Sequence, residues 1–413
     1  MTRTPLHIVM AYQYMGPEKY CPRSRPIYLA HEWVKQGHTV TIVVASYSHL
    51  FLSVPEMQGS HRVETENGIR YEILKTPRYA GNGIGRMINM AAFMVRLWQH
   101  GRRIAKELRP DIVISGSTHA LDFLPVRRIA RLSGGIAVRE VRDLWPLTLT
   151  DLGGYGPRNP LVLLFKAVEN IAYRTADRVV TTLPNSLEYM QERGLRPERW
   201  MCVPQGVDLE PQEHAELPEE VGNVLSRLRN EGRFLVGYAG SHGIANGLDV
   251  VVDAAQILRD TSAAFVLIGQ GGEKERLKKR AADLGLTNMH FLPPIPKKCV
   301  QGFLAGVDVA LIVWRKKPLY RYGVSPNKLM DYMLAAKPII HAVEASNDMV
   351  AQADCGITVP PEDPPSLAHA VRQLMLVTPG ALHAMGQRGA EFVRTHNDYR
   401  ILAEQYLAFL KKS

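Results

Sequence analysis

Strand-like apolar runs alternate with helical stretches along most of the chain. In the first half the runs occupy residues 7–12, 39–46, 111–116, 137–141 and 178–183, with helical stretches such as 26–36 and 163–175 between them. Alternation of this kind predicts a parallel sheet wrapped by helices. Residues 204–220, PQGVDLEPQEHAELPEE, interrupt it, and their Pro and Glu content reads as an interdomain linker. The pattern restarts with runs at 235–239, 265–268, 290–292, 309–313, 339–342 and 357–359, and with helices at 249–258, 273–284, 327–334 and 366–376. The expected fold class is α/β, with two parallel-sheet domains of similar size. Ligands of such sheets bind beyond the carboxyl ends of the strands. Two domains facing each other would therefore hold an active site in a central cleft.

Length agrees with this division, because 413 residues exceed what one hydrophobic core usually serves. Cys21, Cys202, Cys299 and Cys355 are widely spaced and form no C-x-x-C pair, which argues against a zinc site or a disulfide framework and suits a reducing compartment. The start of the chain enters a strand-like run without the long apolar stretch of a signal peptide, and no apolar run is long enough to span a membrane.

Charge changes the picture more. Residues 1–210 hold 27 Lys/Arg against 19 Asp/Glu, whereas residues 211–413 hold 23 against 21, so the excess of +10 lies mostly in the first half. A basic half suggests an anionic partner. Nucleic acid is disfavoured, since no zinc-finger spacing, RNP-like aromatic run or basic tail is present. The segment 84–106, IGRMINMAAFMVRLWQHGRRIAK, contains five basic residues and no acid. Met87, Met90, Ala91, Met94, Leu97, Trp98, Ile104 and Ala105 follow helical spacing there. Such a helix can pack on its own domain, or lie in a membrane interface with Arg86, Arg96 and Arg103 at anionic headgroups; its one-sided charge favours the interface.

Candidate chemistry sits mainly in the second half. The first strand is followed by Gln13-Tyr-Met-Gly, which does not fit a dinucleotide fingerprint. The loop Gly240-Ser-His-Gly-Ile-Ala-Asn-Gly247 precedes a helix, as does Gly269-Gln-Gly-Gly. Glycines admit close backbone approach and a helix N-terminus favours an anion, although either loop alone is equally a tight turn. In SPNKLMDYMLAAKP (residues 325–338), Ser325 is expected to cap a helix with Pro326 at its first position. Asn327, Lys328 and the first amides would face a phosphate, with Asp331 one turn on for two ribose hydroxyls; the alternative is a capped helix with an internal Lys–Asp pair.

With these motifs in place the chain resembles the GT-B glycosyltransferases of family 4, and more narrowly the bacterial transferases of N-acetyl-L-fucosamine and related amino sugars in O-antigen or capsule assembly. The resemblance rests on residues 23–49, EVRDLWP (140–146), YAGSHGIANGLD (238–249), SPNKLMDYMLAAKP (325–338) and ADCGITVPPED (353–363), and covers nearly the whole chain. It implies a Rossmann-like acceptor domain at 1–204, a nucleotide-sugar domain at 205–395, and a last helix, 396–413, crossing back to the first. It further implies a retaining transfer from a UDP-sugar to a polyprenyl-diphosphate-linked glycan, with no metal or other cofactor, by a cytoplasmic protein held at the inner face of the membrane.

The same resemblance suggests roles. Gly240, Ser241, His242, Gly243, Asn246, Ser325, Pro326, Asn327, Lys328 and Asp331 would bind the donor, and the backbone near Ile295 its base. His119 would stand beside the donor sugar, Asp143 would orient or deprotonate the acceptor, and Lys328 would stabilise the leaving diphosphate. Glu18, Arg25, Arg139 and Arg142 would meet the acceptor. One departure is Gly323, where most members of the family carry a carboxylate. A UDP-sugar 2-epimerase of the same architecture and a non-catalytic scaffold remain the alternative readings.

Overall fold

The apolar runs form strands that pair almost entirely in parallel. The computed structural model describes residues 5–81, 83–210 and 215–411. The chain divides into one unit made of Met1–Pro204 and Tyr399–Ser413, and a second made of Gln205–Asp398. The first unit contains β1 (His7–Ala11), β2 (Thr39–Ala45), β3 (His61–Glu66), β4 (Ile69–Leu74), β5 (Ile112–Ser115), β6 (Ile136–Val141), β7 (Arg178–Thr181) and β8 (Trp200–Cys202). They form one sheet in the order β3-β4-β2-β1-β5-β6-β7-β8. Ile8, Val9 and Met10 of β1 are all buried, so both faces of this strand are covered.

The β3–β4 hairpin is absent from the sequence expectation. Its turn residues Asn67 and Gly68 adopt φ of 50° and 77°, the left-handed pair of a two-residue hairpin turn. β3 is the antiparallel edge strand, and its charged, partly exposed residues make a poor template for further pairing.

Helix α1 (Arg25–Lys35) buries Ile27, Leu29, Ala30 and Trp33. The last helix, Tyr399–Leu410, packs beside it: the Trp33 indole donates to Ala403 O at 3.1 Å and meets the Tyr406 ring edge-on at 5.4 Å. Arg25 and Glu140 form a buried ion pair at 3.2 Å, Tyr406 donates to the other carboxylate oxygen at 3.0 Å, and Arg25 also donates to the carbonyls of Val203 and Pro204. One buried network therefore joins α1, β6, the last helix and the chain beyond β8.

The stretch read as a linker is tethered. Val207 N donates to Asn397 O at 2.7 Å, and the Asn397 amide donates to Gln205 O at 2.7 Å, so the outgoing and returning segments lie side by side. Its residues 211–214 lie outside the described residues, and its end already belongs to the helix Glu219–Asn230. The second unit contains β9 (Phe234–Ala239), β10 (Ala263–Ile268), β11 (Met289–Leu292), β12 (Val309–Val313), β13 (Ile339–Ala342) and β14 (Gly356–Val359), all parallel, in the order β11-β10-β9-β12-β13-β14.

Helix α2 (Ile84–Leu108) corrects the expectation for the basic segment. It buries Met90, Phe93, Leu97, Ile104 and Ala105, and packs on α3 (Phe123–Ser133) where Gly101 admits Ile129. A second stripe, Ile84, Met87, Ile88, Val95 and Trp98, is exposed. The helix is thus apolar on two sides, and the expected single face was a mixture of both. The three arginines assigned to headgroups are engaged elsewhere. Arg86 donates to Tyr14 Oη at 3.3 Å and lies over that ring, Arg96 donates to Gln99 at 3.3 Å, and Arg103 pairs with Glu72 at 2.6 Å and Glu107 at 2.9 Å. Among the described residues no helix is long and apolar enough to cross a membrane.

Burial would raise the Glu72 carboxyl, but hydrogen bonds from Arg103 and Arg70 outweigh it and hold the group below its ordinary value. Its contribution to stability is full above the ordinary glutamate value of 4.5 and fades as the pH falls through the lowered folded-state value. Arg103→Ala is expected to cost about 2 kcal/mol at pH 7, since Arg70 still donates to the buried carboxylate. Urea unfolding at pH 7 and pH 3 checks this; the gap between wild type and variant should narrow at the lower pH.

Candidate active site

β9 is central in the second sheet, and the chain order departs from it in both directions, towards β10 and towards β12. Ligands of α/β sheets bind at such a switch point. The loop after β9 is stapled to the loop after β10. Gly240 N donates to Ile268 O, His242 N to Gln270 O and Glu273 N to His242 O, each at 3.0 Å. A Cβ on Gly269, whose φ is +145°, would lie 1.8 Å from Gly240 O, and one on Gly271 would lie 2.4 Å from the His242 backbone. Those two glycines are required for loop-to-loop packing. The His242 ring is buried beneath the loops, with both nitrogens unpartnered among the described residues, so its side chain lies inside the unit rather than at the open end. Burial, with Lys274 and Lys328 nearby, pushes it down to about 4, so it is neutral at pH 7.

Lys328 stands on the helix Asn327–Leu334. Tyr332 of the same helix accepts from Ala239 N at 2.7 Å and donates to Ala239 O at 3.0 Å, fixing the helix against the end of β9. The Lys328 ammonium donates to Asn246 Oδ1 at 2.7 Å and to Tyr238 Oη at 3.0 Å. Tyr238 and Asn246 in turn donate to Ser241 O at 2.7 and 2.9 Å, which sets the glycine loop around the ammonium. Among the described residues no carboxylate pairs with Lys328, and burial pushes its pKa down to about 8.

The Lys328–Asp331 pair of the alternative reading therefore does not form. Asp331 pairs instead with Lys297, and burial raises its carboxyl while Lys297 opposes the rise. The expected cap also differs. Pro326 occupies the N-cap, Asn327 is the first helical residue, and Ser325 Oγ accepts from Gln205 N at 3.3 Å. Asn327 and Ser241 are exposed, and Ile295 is partly buried against the apolar core. Gly323 has φ of 111° and ψ of 163°, a conformation essentially confined to glycine, which gives its residue type a backbone reason.

In the first unit the ends of β1, β5 and β6 gather a second group. His119 is fully buried, its ring 6.4 Å from Tyr14 and 6.5 Å from Phe165, and burial pushes it down to about 4. Its Nε2 lies 2.7 Å from Gln13 Oε1. Arg139 is inside the fold, paired with Asp122 at 3.2 Å and donating to Ser115 Oγ and Ser117 O. Arg25 is likewise consumed by Glu140 and two carbonyls. Neither presents a guanidinium to an acceptor phosphate, because both are buried and their donors are spent on the protein. Arg142 donates to Gly116 O at 3.2 Å and lies over the Tyr12 ring. Asp143 is exposed and has no side-chain partner among the described residues; surrounding protein raises its carboxyl, with Arg142 acting the other way. Glu18 accepts from Arg23 at 2.9 Å and lies 2.8 Å from His31; burial alone would raise it, but these contacts hold it below its ordinary value.

The family described as "Glycosyl transferase 4-like domain" matches residues 27–206, and "Glycosyl transferases group 1" matches residues 233–376. The chain is a glycosyltransferase of the two-domain GT-B class. It is 25% identical over 362 residues to WcaI of Escherichia coli K12, named for colanic acid biosynthesis, covering 84% of this chain and 86% of that one. It is 24% identical to the glycosyltransferase WbjE of Pseudomonas aeruginosa, covering 73% and 75%. Sucrose-phosphate synthase from Thermosynechococcus elongatus shares the fold at 15% identity and a TM-score of 0.73, covering 98% of both chains. Anabaena HepE in complex with UDP-glucose does so at 14% and 0.69, covering 98% and 99%. None of these similarities confirms an N-acetyl-L-fucosamine specificity for this glycosyltransferase.

Sequence reading missed Tyr238, Tyr332, Lys297, Gln13 and Asn89. Gln13 and Lys297 both follow a strand end closely, which is a usable signal; the other three act through contacts with distant segments. The depressed Lys328 value has a consequence for stability. The unfolded chain binds this proton up to about 10.5 and the folded chain only up to about 8, so the cost is full below about 8 and vanishes towards 10.5. Lys328→Met is expected to raise the melting temperature at pH 7, with the gain shrinking as pH approaches 10.5. A variant no more stable than wild type at pH 7 would contradict this.

Proposed function

We propose that this glycosyltransferase moves a sugar from a nucleoside diphosphate to a lipid-linked glycan in surface-polysaccharide assembly. The observation that carries the reading is the half-buried Lys328 ammonium, which has no carboxylate partner among the described residues and sits at the end of β9 beside two glycine loops. Keeping such a charge unpaired opposes folding, and a diphosphate is the ligand that would neutralise it. As the leaving diphosphate gains charge, Lys328, the Ser241 and Gly243 amides and the first-turn amides of the Asn327–Leu334 helix stabilise it more than the bound donor. Asp331, after releasing Lys297, accepts from the ribose hydroxyls. In the first unit, neutral His119 hydrogen-bonds a substrate hydroxyl, and Asp143, with its raised carboxyl, takes the acceptor proton. This scheme uses no metal.

The donor is proposed to be a UDP-amino sugar such as UDP-N-acetyl-L-fucosamine, transferred with retention, and the acceptor a polyprenyl-diphosphate glycan at the cytoplasmic membrane face. The names of WcaI and of WaaG, a glycosyltransferase of lipopolysaccharide biosynthesis sharing the fold at a TM-score of 0.67 and 15% identity, support the pathway class. HepE, solved with UDP-glucose and with UDP, supports the donor class. For the membrane the supporting feature is the exposed α2 stripe of Ile84, Met87, Ile88, Val95 and Trp98, followed by exposed Arg102 and Lys106.

Thermal unfolding with UDP, GDP, dTDP and NAD, in wild type and Asp331→Ala, tests the donor site. A selective rise with UDP that the variant loses is expected; no rise with any nucleotide would remove the reading. For the surface, Ile84→Glu with Val95→Glu should abolish co-sedimentation with anionic vesicles at low salt while leaving the UDP response intact. Wild-type protein that ignores such vesicles would refute the membrane assignment alone.

A further inference from the structure

His119 is held by a hydrogen-bond chain with a fixed direction. The chain starts at the Pro77 carbonyl, which can only accept. Asn89 Nδ2 lies 2.7 Å from Pro77 O and 3.0 Å from Thr76 Oγ1, so this atom is the amide donor and Asn89 Oδ1 is the acceptor. Gln13 Nε2 donates to Asn89 Oδ1 at 2.6 Å, which leaves Gln13 Oε1 as the acceptor facing His119 Nε2 at 2.7 Å. The imidazole must then carry its proton on Nε2. Gln13, Asn89 and His119 are all fully buried, so water does not compete for these bonds. Gln13 is itself fixed at the carboxyl end of β1, because its backbone N–H donates to Ser117 Oγ at 3.1 Å.

At the other end of the ring, His119 Nδ1 is buried and has no partner among the described residues, and neither has the adjacent Thr118 Oγ1. Buried polar atoms without partners are costly unless a ligand meets them. We propose that Gln13 and Asn89 are positioning residues that lock His119 in the Nε2–H tautomer, so that its bare Nδ1 is kept as a hydrogen-bond acceptor for a substrate hydroxyl reaching the ends of β1 and β5. The inference rests on the glycosyl-transfer reading for the identity of that hydroxyl, but not for the tautomer.

Asn89 also links this lock to α2, the helix whose opposite side carries the exposed apolar stripe. Replacing Asn89 removes the acceptor that orients the Gln13 amide. That amide can then turn over and offer a donor to Nε2, which favours the Nδ1–H tautomer and removes the acceptor from Nδ1.

The test is nitrogen-15 NMR of histidine-labelled full-length protein without substrate, with the His119 signals assigned by their loss in His119→Gln. Wild type is expected to show a protonated Nε2 and a bare Nδ1 at pH 7. Asn89→Leu is expected to show a mixture of tautomers or the reversed one. Gln13→Glu, whose carboxylate still accepts from Nε2–H, should keep the wild-type tautomer and raise the pH at which the ring titrates. In turnover assays Asn89→Leu should lower kcat by about tenfold or more with little change in the donor KM, and Gln13→Glu should retain most of the wild-type kcat. A wild-type ring protonated on Nδ1 overturns the proposal even if no variant folds. An unchanged tautomer in folded Asn89→Leu also overturns it. The expected tautomers with no sugar transfer would leave the lock standing and instead remove the glycosyl-transfer reading and the role of Nδ1 as acceptor for a substrate hydroxyl.

Discussion

Parallel strand pairing is the constraint on which the rest of this protein depends. Parallel neighbours cannot be joined by tight hairpins, so the chain must leave each strand at its carboxyl end and return through a crossover. All of those exits fall on one edge of each sheet. Gln13, Ser117, His119, Arg142 and Asp143 lie beyond β1, β5 and β6 for this reason, and Gly240, Gly269 and Lys297 lie beyond β9, β10 and β11. Residues far apart in the chain become neighbours without long loops. The backbone of each loop is then satisfied by the next: Gly240, His242 and Glu273 exchange hydrogen bonds across the β9 and β10 exits.

Charges buried along these sheets divide into two kinds. Arg25 with Glu140, Arg139 with Asp122, and Glu72 with Arg70 and Arg103 are compensated within the first unit and hold elements together. Lys328 is different, since its partners are a neutral phenol and a neutral amide. Compensated pairs specify packing, whereas an uncompensated charge lowers the stability of the free protein and strengthens the binding of an anion. The contrast separates structural arginines from a functional lysine more sharply than residue type does.

Much of the architecture was legible from pattern alone. Alternating apolar runs and helices gave two parallel α/β units, and the boundary near residue 204 followed from the Pro and Glu stretch. The hairpin of β3 and β4 was passed over although Asn67-Gly68 is a strong turn signal, because β3 is an edge strand with little apolar content. Helix α2 was recognised, but periodicity could not say which of its two apolar sides faces the core. Motif spacing brought Lys328, Asp331 and the Gly240 loop into one candidate site. It assigned Arg25 and Arg139 to an acceptor because a lone arginine in a sequence carries no mark of its partner.

The amino-acid sequence by itself determined the alternation of strands and helices, the fold class and the transferase family, because these rest on local periodicity and on motifs within a few tens of residues. Tertiary structure alone decided which charges are spent and which are free. Glu140 and Tyr406, 266 positions apart, meet on one carboxylate, and Lys328 finds Tyr238 and Asn246 across more than 80 positions. Protonation followed the same rule: a histidine's tautomer and a lysine's pKa are set by the burial and the hydrogen-bond partners that folding supplies, and neither is written in the neighbouring residues.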